Sequence, residues 1–317
     1  MKLTVIGHLC LDVIHRPGEK EETQSYGGIF FAVATLANLL PENVSIAPVF
    51  GVGKNEYQAF LDGMRNYPNV DTSGIFRFEG PTNEVHLYYH DERHRTECSK
   101  HIAEPIPLKR IRPHLDADMV LVNMVSGFDV TLETLDEIRV AVRDRHAPVY
   151  FDLHSLSLGV DEDFMRVRRP LVDWRRWLFW LHAVQMNEEE RAGLTVELFT
   201  EDLFAKHVGS LNTSAFILTR GSNGCTVYTD AHKPQGGKHL TRHDIPGIPN
   251  ERKADATGCG DVFGAAYCAM YVTNRDILRS AEFANTVAAS NATAVGSTGI
   301  DRLAQFRLQP TPHEVPS

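Results

Sequence analysis

The chain contains 317 residues, enough for one large α/β domain or for two domains of ordinary size. Hydrophobic residues make up 43% and charged residues 23% of the sequence, which is typical of globular proteins and excludes extensive disorder. The formal net charge of −9 argues against broad nucleic-acid binding, because that activity needs a basic surface.

Strand-like apolar runs alternate with helical patterns along most of the chain. The first predicted strand is Leu3 to Ile6, and the first predicted helix covers residues 30–40 after the Gly27-Gly28 turn. Further strands are predicted at residues 44–50, 118–122, 148–151, 183–186, 215–219 and 225–228, with helices at 131–145, 259–272 and 275–295. This alternation predicts a Rossmann-like three-layer α/β/α fold, in which helices cover both faces of a mainly parallel central sheet.

Residues 74–98 break the alternation. Three short β-like runs at 74–78, 84–89 and 93–96 follow one another without a helix between them. We predict that they pair as antiparallel strands and, with residues 12–26, form a small lid over the edge of the main sheet. The chain is then a single domain of residues 1–317 that carries this β lid.

The sequence also bears on the compartment and on membrane association. No apolar run approaches the ~18–20 residues that cross a bilayer, and the first residues lack the features of a signal peptide. The cysteines are scattered, odd in number and never in a CxxC pair: Cys10, Cys98, Cys225, Cys259 and Cys268. These observations predict a cytoplasmic protein with reduced cysteines and no membrane partner.

The strongest local signal is the segment Asp255-Ala256-Thr257-Gly258-Cys259-Gly260-Asp261, which runs into an alanine-rich helix. The amide groups of Gly258, Cys259 and Gly260 lie at a helix start, where they are unpaired and can bind an anion such as a phosphate. Asp261 beside them could accept the proton of a hydroxyl that attacks a phosphoryl group. The same spacing also fits a helix start in which these residues serve only as caps.

Other nucleotide-binding motifs are absent from the sequence. There is no GxxxxGK[ST], which excludes a P-loop at the level of motif. Gly258, Gly260 and Gly264 miss the GxGxxG spacing and lie late in the chain, so a dinucleotide-dependent oxidoreductase is a weaker alternative.

With these pieces the chain resembles the ribokinase-like (PfkB) family of small-molecule kinases from its first strand to about residue 299. The signal at 255–261 resembles the family's DTxGAGD motif, with Ala256 and Cys259 as mild substitutions. The resemblance implies that Asp261 is a general base and that Gly258, Cys259 and Gly260 form an anion hole. It also implies ATP as the phosphoryl donor, Mg²⁺ as a cofactor and a small-molecule hydroxyl as the acceptor.

Other segments resemble the family in the same order along the chain. Asp12 follows the first strand, in a segment whose aspartate binds substrate hydroxyls in the family, and Gly27-Gly28 matches the family's GG. Asn187 and Glu190 resemble an N-x-x-E motif, although a plain helix cap and first turn explain them equally well. The roles that the resemblance implies are nucleotide binding for Asn187, Thr219, Gly221, Gly224 and Asn285, Mg²⁺ binding through water for Glu190, and K⁺ binding as a candidate role for Asp255.

The departures from the family lie where the acceptor would bind. Phe30 and Phe31 stand after Gly27-Gly28, where the family has a sugar-binding asparagine. Asp152-Leu153-His154-Ser155 begins like the family's D-x-N-x-R motif but loses its polar partners. We therefore expect a hydroxyl acceptor among sugars, polyols such as inositol, and nucleosides, with the phenylalanines as an apolar wall. A catalytically silent binding or regulatory protein of the same family is the alternative.

The sequence contains two further clusters of residue types that bind ligands in other proteins. His86, His90, His94 and Cys98 recur every four residues, but a lid is favoured over a zinc site there. Arg166, Arg168, Arg169, Arg175 and Arg176 surround two tryptophans, which favours an amphipathic helix with arginine stems over aromatic rings. Strand edges of the lid make a homodimer plausible.

Overall fold

The computed structural model describes residues 1–18, 22–90, 95–232, 238–249 and 255–309. The strands of this part of the chain are Lys2–Ile6 (β1), Leu9–His15 (β2), Thr23–Gly28 (β3), Ser45–Gly53 (β4), Ile75–Phe78 (β5), Asn83–Tyr89 (β6), Arg95–Lys100 (β7), Met119–Asn123 (β8), Val149–Asp152 (β9), Leu158–Val160 (β10), Arg166–Arg168 (β11), Ala183–Asn187 (β12), Ala215–Thr219 (β13), Gly224–His232 (β14) and Lys238–Pro246 (β15).

A sheet in the order β15-β14-β13-β12-β9-β8-β1-β4-β5 forms the centre of the protein. Strands β13 to β5 in this order run parallel, whereas β14 and β15 are antiparallel at one edge. The inner strands are almost wholly buried, as β8 shows, so both faces of the sheet are covered. The predicted α/β fold with a mainly parallel sheet is confirmed.

Helices cover the sheet. They are Ile29–Leu39 (α1), Tyr57–Met64 (α2), Leu108–Ile111 (α3), Leu132–Arg143 (α4), Trp174–Trp177 (α5), Glu188–Gly193 (α6), Glu201–Ser210 (α7), Cys259–Asn274 (α8) and Ile277–Asn291 (α9). Helix α8 packs against α1 and α9 and lies on β8 and β9, while α7 packs on β13 and β14. Among the described residues, none of these helices is long and apolar enough to cross a membrane.

The lid is a second sheet in the order β3-β2-β6-β7. Strands β2 and β6 pair in parallel, and the two outer pairs are antiparallel. The first of the three predicted antiparallel runs lies elsewhere, because β5 pairs in parallel with β4 at the edge of the central sheet. Helix α2 between β4 and β5 explains this difference, since a helical crossover joins parallel neighbours. Residues 91–94, which include the start of the third predicted run, lie outside the described residues.

A hairpin of β10 and β11 lies beside β7 of the lid, where Cys98 pairs with Met165. The prediction of an amphipathic helix around the arginines is wrong for Arg166 and Arg168, because both lie on β11. Within the arginine segment only Trp174–Trp177 (α5), which contains Arg175 and Arg176, is helical. The prediction that arginine stems cover aromatic rings fits Arg175, whose guanidinium lies 4.2 Å from the centre of the Trp174 ring.

Candidate active site

The strands β8, β9 and β12 meet the start of α8 at one edge of the central sheet. Asn123 at the end of β8 donates from Nδ2 to Asp261 Oδ1 at 2.6 Å. Gln185 of β12 donates from Nε2 to the carbonyl oxygen of Gly260 at 3.0 Å. These two bonds fix the first turn of α8 over the strand ends, which is the usual position of a ligand site in a parallel sheet.

Asp261 lies in the first turn of α8 and is only 5% exposed. Burial raises its pKa, although the nearby His154 and the hydrogen bond from Asn123 oppose the rise. A buried carboxylate whose pKa lies above its ordinary value is suited to accept a proton, because its affinity for the proton is higher than that of an exposed aspartate.

The loop before α8 brings free peptide groups next to this carboxylate. Gly258 has a φ of 74°, and a Cβ there would lie 2.4 Å from the ring of Phe31. The amide groups of Gly258 and Gly260 donate to no acceptor in the described part of the chain. The Cys259 amide was predicted to be unpaired as well, but it donates to the carbonyl oxygen of Ala256 at 3.2 Å in a tight turn. Of the three amide groups predicted to bind an anion, those of Gly258 and Gly260 are therefore free to do so, whereas that of Cys259 is not.

Asp255 organises the same loop. Its Oδ1 accepts hydrogen bonds from the amide and the hydroxyl of Thr257 and from the hydroxyl of Tyr89, and its Oδ2 accepts from the amide of Gly296. Burial would raise the pKa of Asp255, but these hydrogen bonds outweigh it and lower the pKa. Tyr89 belongs to β6, so the lid is bonded directly to the loop. The role of Asp255 as a K⁺ ligand stays a prediction.

The residues to which the resemblance assigns nucleotide binding are called the donor side here: Asn187, Thr219, Gly221, Gly224 and Asn285. Asn187 and Thr219 are paired neighbours at the ends of β12 and β13. Gly224 pairs with Pro246, whose carbonyl oxygen accepts a hydrogen bond from Asn285 Nδ2 at 3.0 Å. The structure thus brings together five residues that are spread over about a hundred positions of the sequence.

Asn187 and Glu190 form a helix cap, which is one of the two explanations that the sequence leaves open for them. The Asn187 side chain accepts from the Glu190 amide, and the Glu190 carboxylate accepts from the Asn187 amide and side chain. Burial raises the pKa of Glu190 to about 7 and the pKa of Asp152 well above its ordinary value. Such a pair of carboxylates fits a divalent cation, which would relieve the cost of burying their charges.

The residues to which the resemblance assigns acceptor binding are called the acceptor side: Asp12, Gly27 and Gly28. Asp12 is 4% exposed and lies against Gly27, where a Cβ would be 2.0 Å from Oδ2 of the aspartate. Glycine is therefore required at position 27. The prediction that both phenylalanines form an apolar wall for the acceptor is wrong for Phe31, because its ring is buried beneath Gly258. Phe30 packs on Tyr26 and Phe60.

Three residues at the site were not predicted as functional. His154 Nε2 lies 4.0 Å from Asp261 Oδ1. Arg166 donates from Nη1 to the carbonyl oxygen of Ser126 at 2.8 Å, near the acceptor side. Tyr89 joins the lid to Asp255. The altered D-x-N-x-R motif was the only available signal for His154, and the other two come from segments without a motif.

The described histidines of the lid do not converge as the ligands of a metal site would. His86 Nδ1 lies 3.0 Å from His15 Nε2, and His94 lies outside the described residues. In the described part of the chain, no three His, Cys, Asp or Glu side chains converge as ligands of a preformed site would. A Mg²⁺ site of one or two carboxylates completed by phosphate oxygens does not need such a set.

Several solved structures are similar to this chain. A ribokinase from Thermotoga maritima is 18% identical and has a TM-score of 0.70 over 96% of this chain and 97% of that one. An Escherichia coli protein assigned as ribokinase II, in complex with ATP and Mg²⁺, is 17% identical with a TM-score of 0.72 over 96% and 98%. A pyrophosphate-dependent kinase in the ribokinase family, with a pyrophosphate analogue and myo-inositol, is 17% identical with a TM-score of 0.69 over 93% and 96%.

The sequence itself also matches a family model. Residues 164–302 match the pfkB family carbohydrate kinase model. No curated protein sequence matches the chain. The predicted resemblance to the ribokinase-like (PfkB) family is confirmed by this match together with the shared fold.

Proposed function

We propose that the chain is an ATP-dependent kinase, because residues 164–302 match the pfkB family carbohydrate kinase model and the fold is similar to that of a ribokinase. The acceptor is a hydroxyl of a sugar, a polyol such as inositol, or a nucleoside. One observation carries the proposal: a buried carboxylate, Asp261, stands beside the free amide groups of Gly258 and Gly260 at the start of a long helix.

Each part of this arrangement has a role in the transfer. Asp261 takes the proton of the acceptor hydroxyl as the oxygen attacks the γ-phosphorus of ATP. A new P–O bond forms, the bond to the bridging β-γ oxygen breaks, and ADP leaves with the electron pair. The amide groups of Gly258 and Gly260 donate hydrogen bonds to the negative oxygens of the phosphoryl group during its transfer. Asn123 holds the Asp261 carboxylate in place by its 2.6 Å hydrogen bond.

The donor side binds the nucleotide. Asn187 faces the phosphates, Thr219, Gly221 and Gly224 line the nucleotide, and Asn285 lies near the adenine. Glu190 and Asp152 are the residues that would hold Mg²⁺, and Mg²⁺ when bound neutralises the β- and γ-phosphate oxygens.

The acceptor side holds the alcohol under the lid. Asp12 accepts hydrogen bonds from hydroxyl groups of the acceptor, with the backbone of Gly27 and Gly28 beside it. Closing the lid excludes water, which would otherwise receive the phosphoryl group. With Phe31 buried beneath Gly258, Phe30 is the one of these two phenylalanines that is only partly buried and that can contact a ring face of the acceptor.

A panel of acceptors tests the proposal. The purified protein is incubated with Mg²⁺, ATP and single sugars, polyols or nucleosides, and ³¹P NMR detects any new phosphomonoester together with ADP. A parallel series with pyrophosphate tests the donor, since a similar structure belongs to a pyrophosphate-dependent kinase. Formation of a phosphomonoester from one acceptor class supports the kinase. ATP binding without transfer to any acceptor would instead favour the silent binding protein.

A further inference from the structure

Arg166 lies on β11, in the hairpin that packs against the lid, and its side chain is half-buried. The hairpin is joined to β7 by a hydrogen bond of 2.9 Å from the Ser99 amide to the carbonyl oxygen of Phe164. The guanidinium donates from Nη1 to the carbonyl oxygen of Ser126 at 2.8 Å. Among the described residues it makes no other hydrogen bond and no ion pair with a carboxylate. Its Nε and Nη2 groups therefore remain available as donors.

The positive charge of Arg166 has no counter-ion in the described part of the chain. An arginine stays charged in proteins, and a partly buried charge is costly unless an ion of opposite sign is bonded to it. Burial lowers the pKa of Arg166, although the charges of Glu97 and Asp129 oppose the change without forming an ion pair with it. Arg175, by comparison, meets Glu197 with bonds of 2.8 and 3.0 Å. We expect a bound anion to complete the Arg166 site.

The loop after β8 places Arg166 beside the acceptor side. Ser126, whose carbonyl oxygen accepts from Arg166, follows Val125 in this loop. The Cγ1 atom of Val125 lies 2.6 Å from the position of a Cβ on Gly28. Arg166 and Gly28 thus contact consecutive residues of the same loop, so an anion bound to the guanidinium lies next to the place where the acceptor is expected.

One face of the lid borders the same space. Asp12 and Glu97 lie on this face, because residues that pair directly, or that lie two apart on one strand, share a face of a sheet. The cross-strand pairs that link them are Asp12 with Val85 and Leu87 with Glu97. Tyr89 extends this face and bonds to Asp255, so the face is turned toward the loop before α8. Because Glu97 also acts on Arg166, we infer that Asp12 and Arg166 border one space from two sides.

The charges around this space indicate which kind of anion fits. Asp12 and Asp261 are buried carboxylates, and Glu97 lies on the same lid face as Asp12. A phosphate dianion would add its charge to these carboxylates with one arginine to balance it. A carboxylate carries a single charge, and its two oxygens match the fork of Nε and Nη2. The site therefore favours a carboxylate over a phosphate.

We propose that the acceptor is a polyhydroxy carboxylic acid, that is, a sugar acid, whose carboxylate binds Nε and Nη2 of Arg166. The inference rests on the proposed function and narrows the class of its acceptor. Asp12 binds other hydroxyl groups of the same molecule, and one hydroxyl faces Asp261. Arg166 binds and orients the acid, so the bonds that form and break are those of the phosphoryl transfer. A neutral sugar leaves the guanidinium without a counter-ion, which makes Arg166 a specificity-determining residue.

Matched pairs of acceptors test the inference on the wild type. D-gluconate, D-ribonate and D-glucuronate are each compared with the neutral compound that lacks the carboxylate, namely D-glucitol, ribitol and D-glucose. Calorimetry measures their binding in the presence of Mg²⁺ and AMP-PNP, and kcat/KM is measured with ATP. We expect at least one acid to exceed its neutral partner by about ten- to hundredfold in both quantities, as for hydrogen bonds to a charged group. Equal values within every pair, or tighter binding of D-glucose 6-phosphate than of every acid, would overturn the inference.

Arg166→Gln assigns the preference to this side chain, because it keeps an N–H donor but removes the charge. We expect the acceptor KM for the preferred acid to rise by about ten- to hundredfold, while the KM for its neutral partner and the affinity for AMP-PNP change by less than about twofold. Arg168→Gln is the matched control, since Arg168 lies on the same strand but is exposed, and it should keep the preference. If Arg166→Gln does not fold, Arg166→Lys serves instead, because it keeps the charge but loses the fork. An unchanged ratio of acid to neutral acceptor in the folded variant contradicts the role of Arg166.

These outcomes separate the inference from the proposed function. If no compound is phosphorylated but an acid binds more tightly than its neutral partner and Arg166→Gln removes the difference, the kinase proposal fails and the carboxylate site stands. If a neutral acceptor is phosphorylated as efficiently as its acid partner, the kinase proposal stands and the inference about Arg166 fails.

Discussion

The donor side and the acceptor side of this site differ in how far they depend on backbone groups and on side chains. The donor side and the loop at 255–261 use peptide groups, glycine turns and the start of a helix. The acceptor side has the side chain of Asp12, on the lid strand β2, against Gly27 and Gly28 of β3, and the side chains near it come from α1 and from the hairpin of β10 and β11. Backbone geometry needs particular residues at fixed spacing, whereas a surface of side chains can be built from many sequences. The donor side is therefore the part that can be recognised from sequence.

Asp261 joins the two sides, and its substitution should have the largest effect. We expect Asp261→Asn to lower kcat by ~10²–10⁴-fold, the usual contribution of a general base. ATP affinity should change less than about twofold, because the carboxylate acts on the acceptor. Steady-state kinetics and calorimetry measure the two quantities. Asp276→Asn, at the N-cap of α9, is the matched control and should keep both values.

Gly258→Ala tests whether the donor side depends on backbone geometry. The added Cβ meets the Phe31 ring at 2.4 Å and displaces an amide of the anion hole. We expect kcat to fall by ~10²-fold, as for the loss of one oxyanion donor. Gly18→Ala is the control, because Gly18 has a φ of 83° but nothing within 4 Å of its Cβ position. Equal activity of the two variants would show that the contact with Phe31 does not matter.

Asn123→Ala separates the position of the base from its ionisation. Removal of the donor at 2.6 Å destabilises the ionised form of Asp261, so its pKa rises further. The acid limb of kcat/KM should move to higher pH, so the loss of activity should reach about tenfold on the acid limb and become smaller as the pH rises. A uniform loss at all pH values would mean that Asn123 only positions the carboxylate.

Tyr89→Phe tests the bond between the two sides and should have the smallest effect. The variant loses the 2.9 Å hydrogen bond to Asp255 but keeps the ring. We expect a three- to tenfold rise in acceptor KM, the equivalent of about 1 kcal/mol. Hydrogen exchange in β6 should also become faster. Tyr88→Phe is the matched control, since successive side chains of a strand point to opposite faces. Similar effects of the two variants would contradict the role of Tyr89.

The sequence predicted the parts in which pattern and structure are locally linked. The strand predicted at 183–186 is Ala183–Asn187 in the structure, and the strand predicted at 215–219 is Ala215–Thr219. Asp261 lies in the first turn of α8, beside the free amides, as the sequence predicted. The place of Ile75–Phe78 was not predicted, because the helical pattern of Tyr57–Met64 was missed.

The site residues that were missed have a common cause. Tyr89 and Asp255 are 166 positions apart, and His154 and Asp261 are more than a hundred apart. No local pattern encodes such pairs, since they depend on how the strands are ordered in the sheet. Phe31 was misjudged for the same reason, because the loop at Gly258 covers its ring only in the folded chain.

The central claim is that the start of α8 binds the terminal phosphate of a nucleotide beside the carboxylate of Asp261. A crystal structure with Mg²⁺ and AMP-PNP tests it most directly. The account expects oxygens of the terminal phosphate within hydrogen-bond distance of the amides of Gly258 and Gly260, with Asp261 facing the acceptor side. A terminal phosphate bound elsewhere, or those amides bonded to protein oxygens while the analogue is bound, would contradict it.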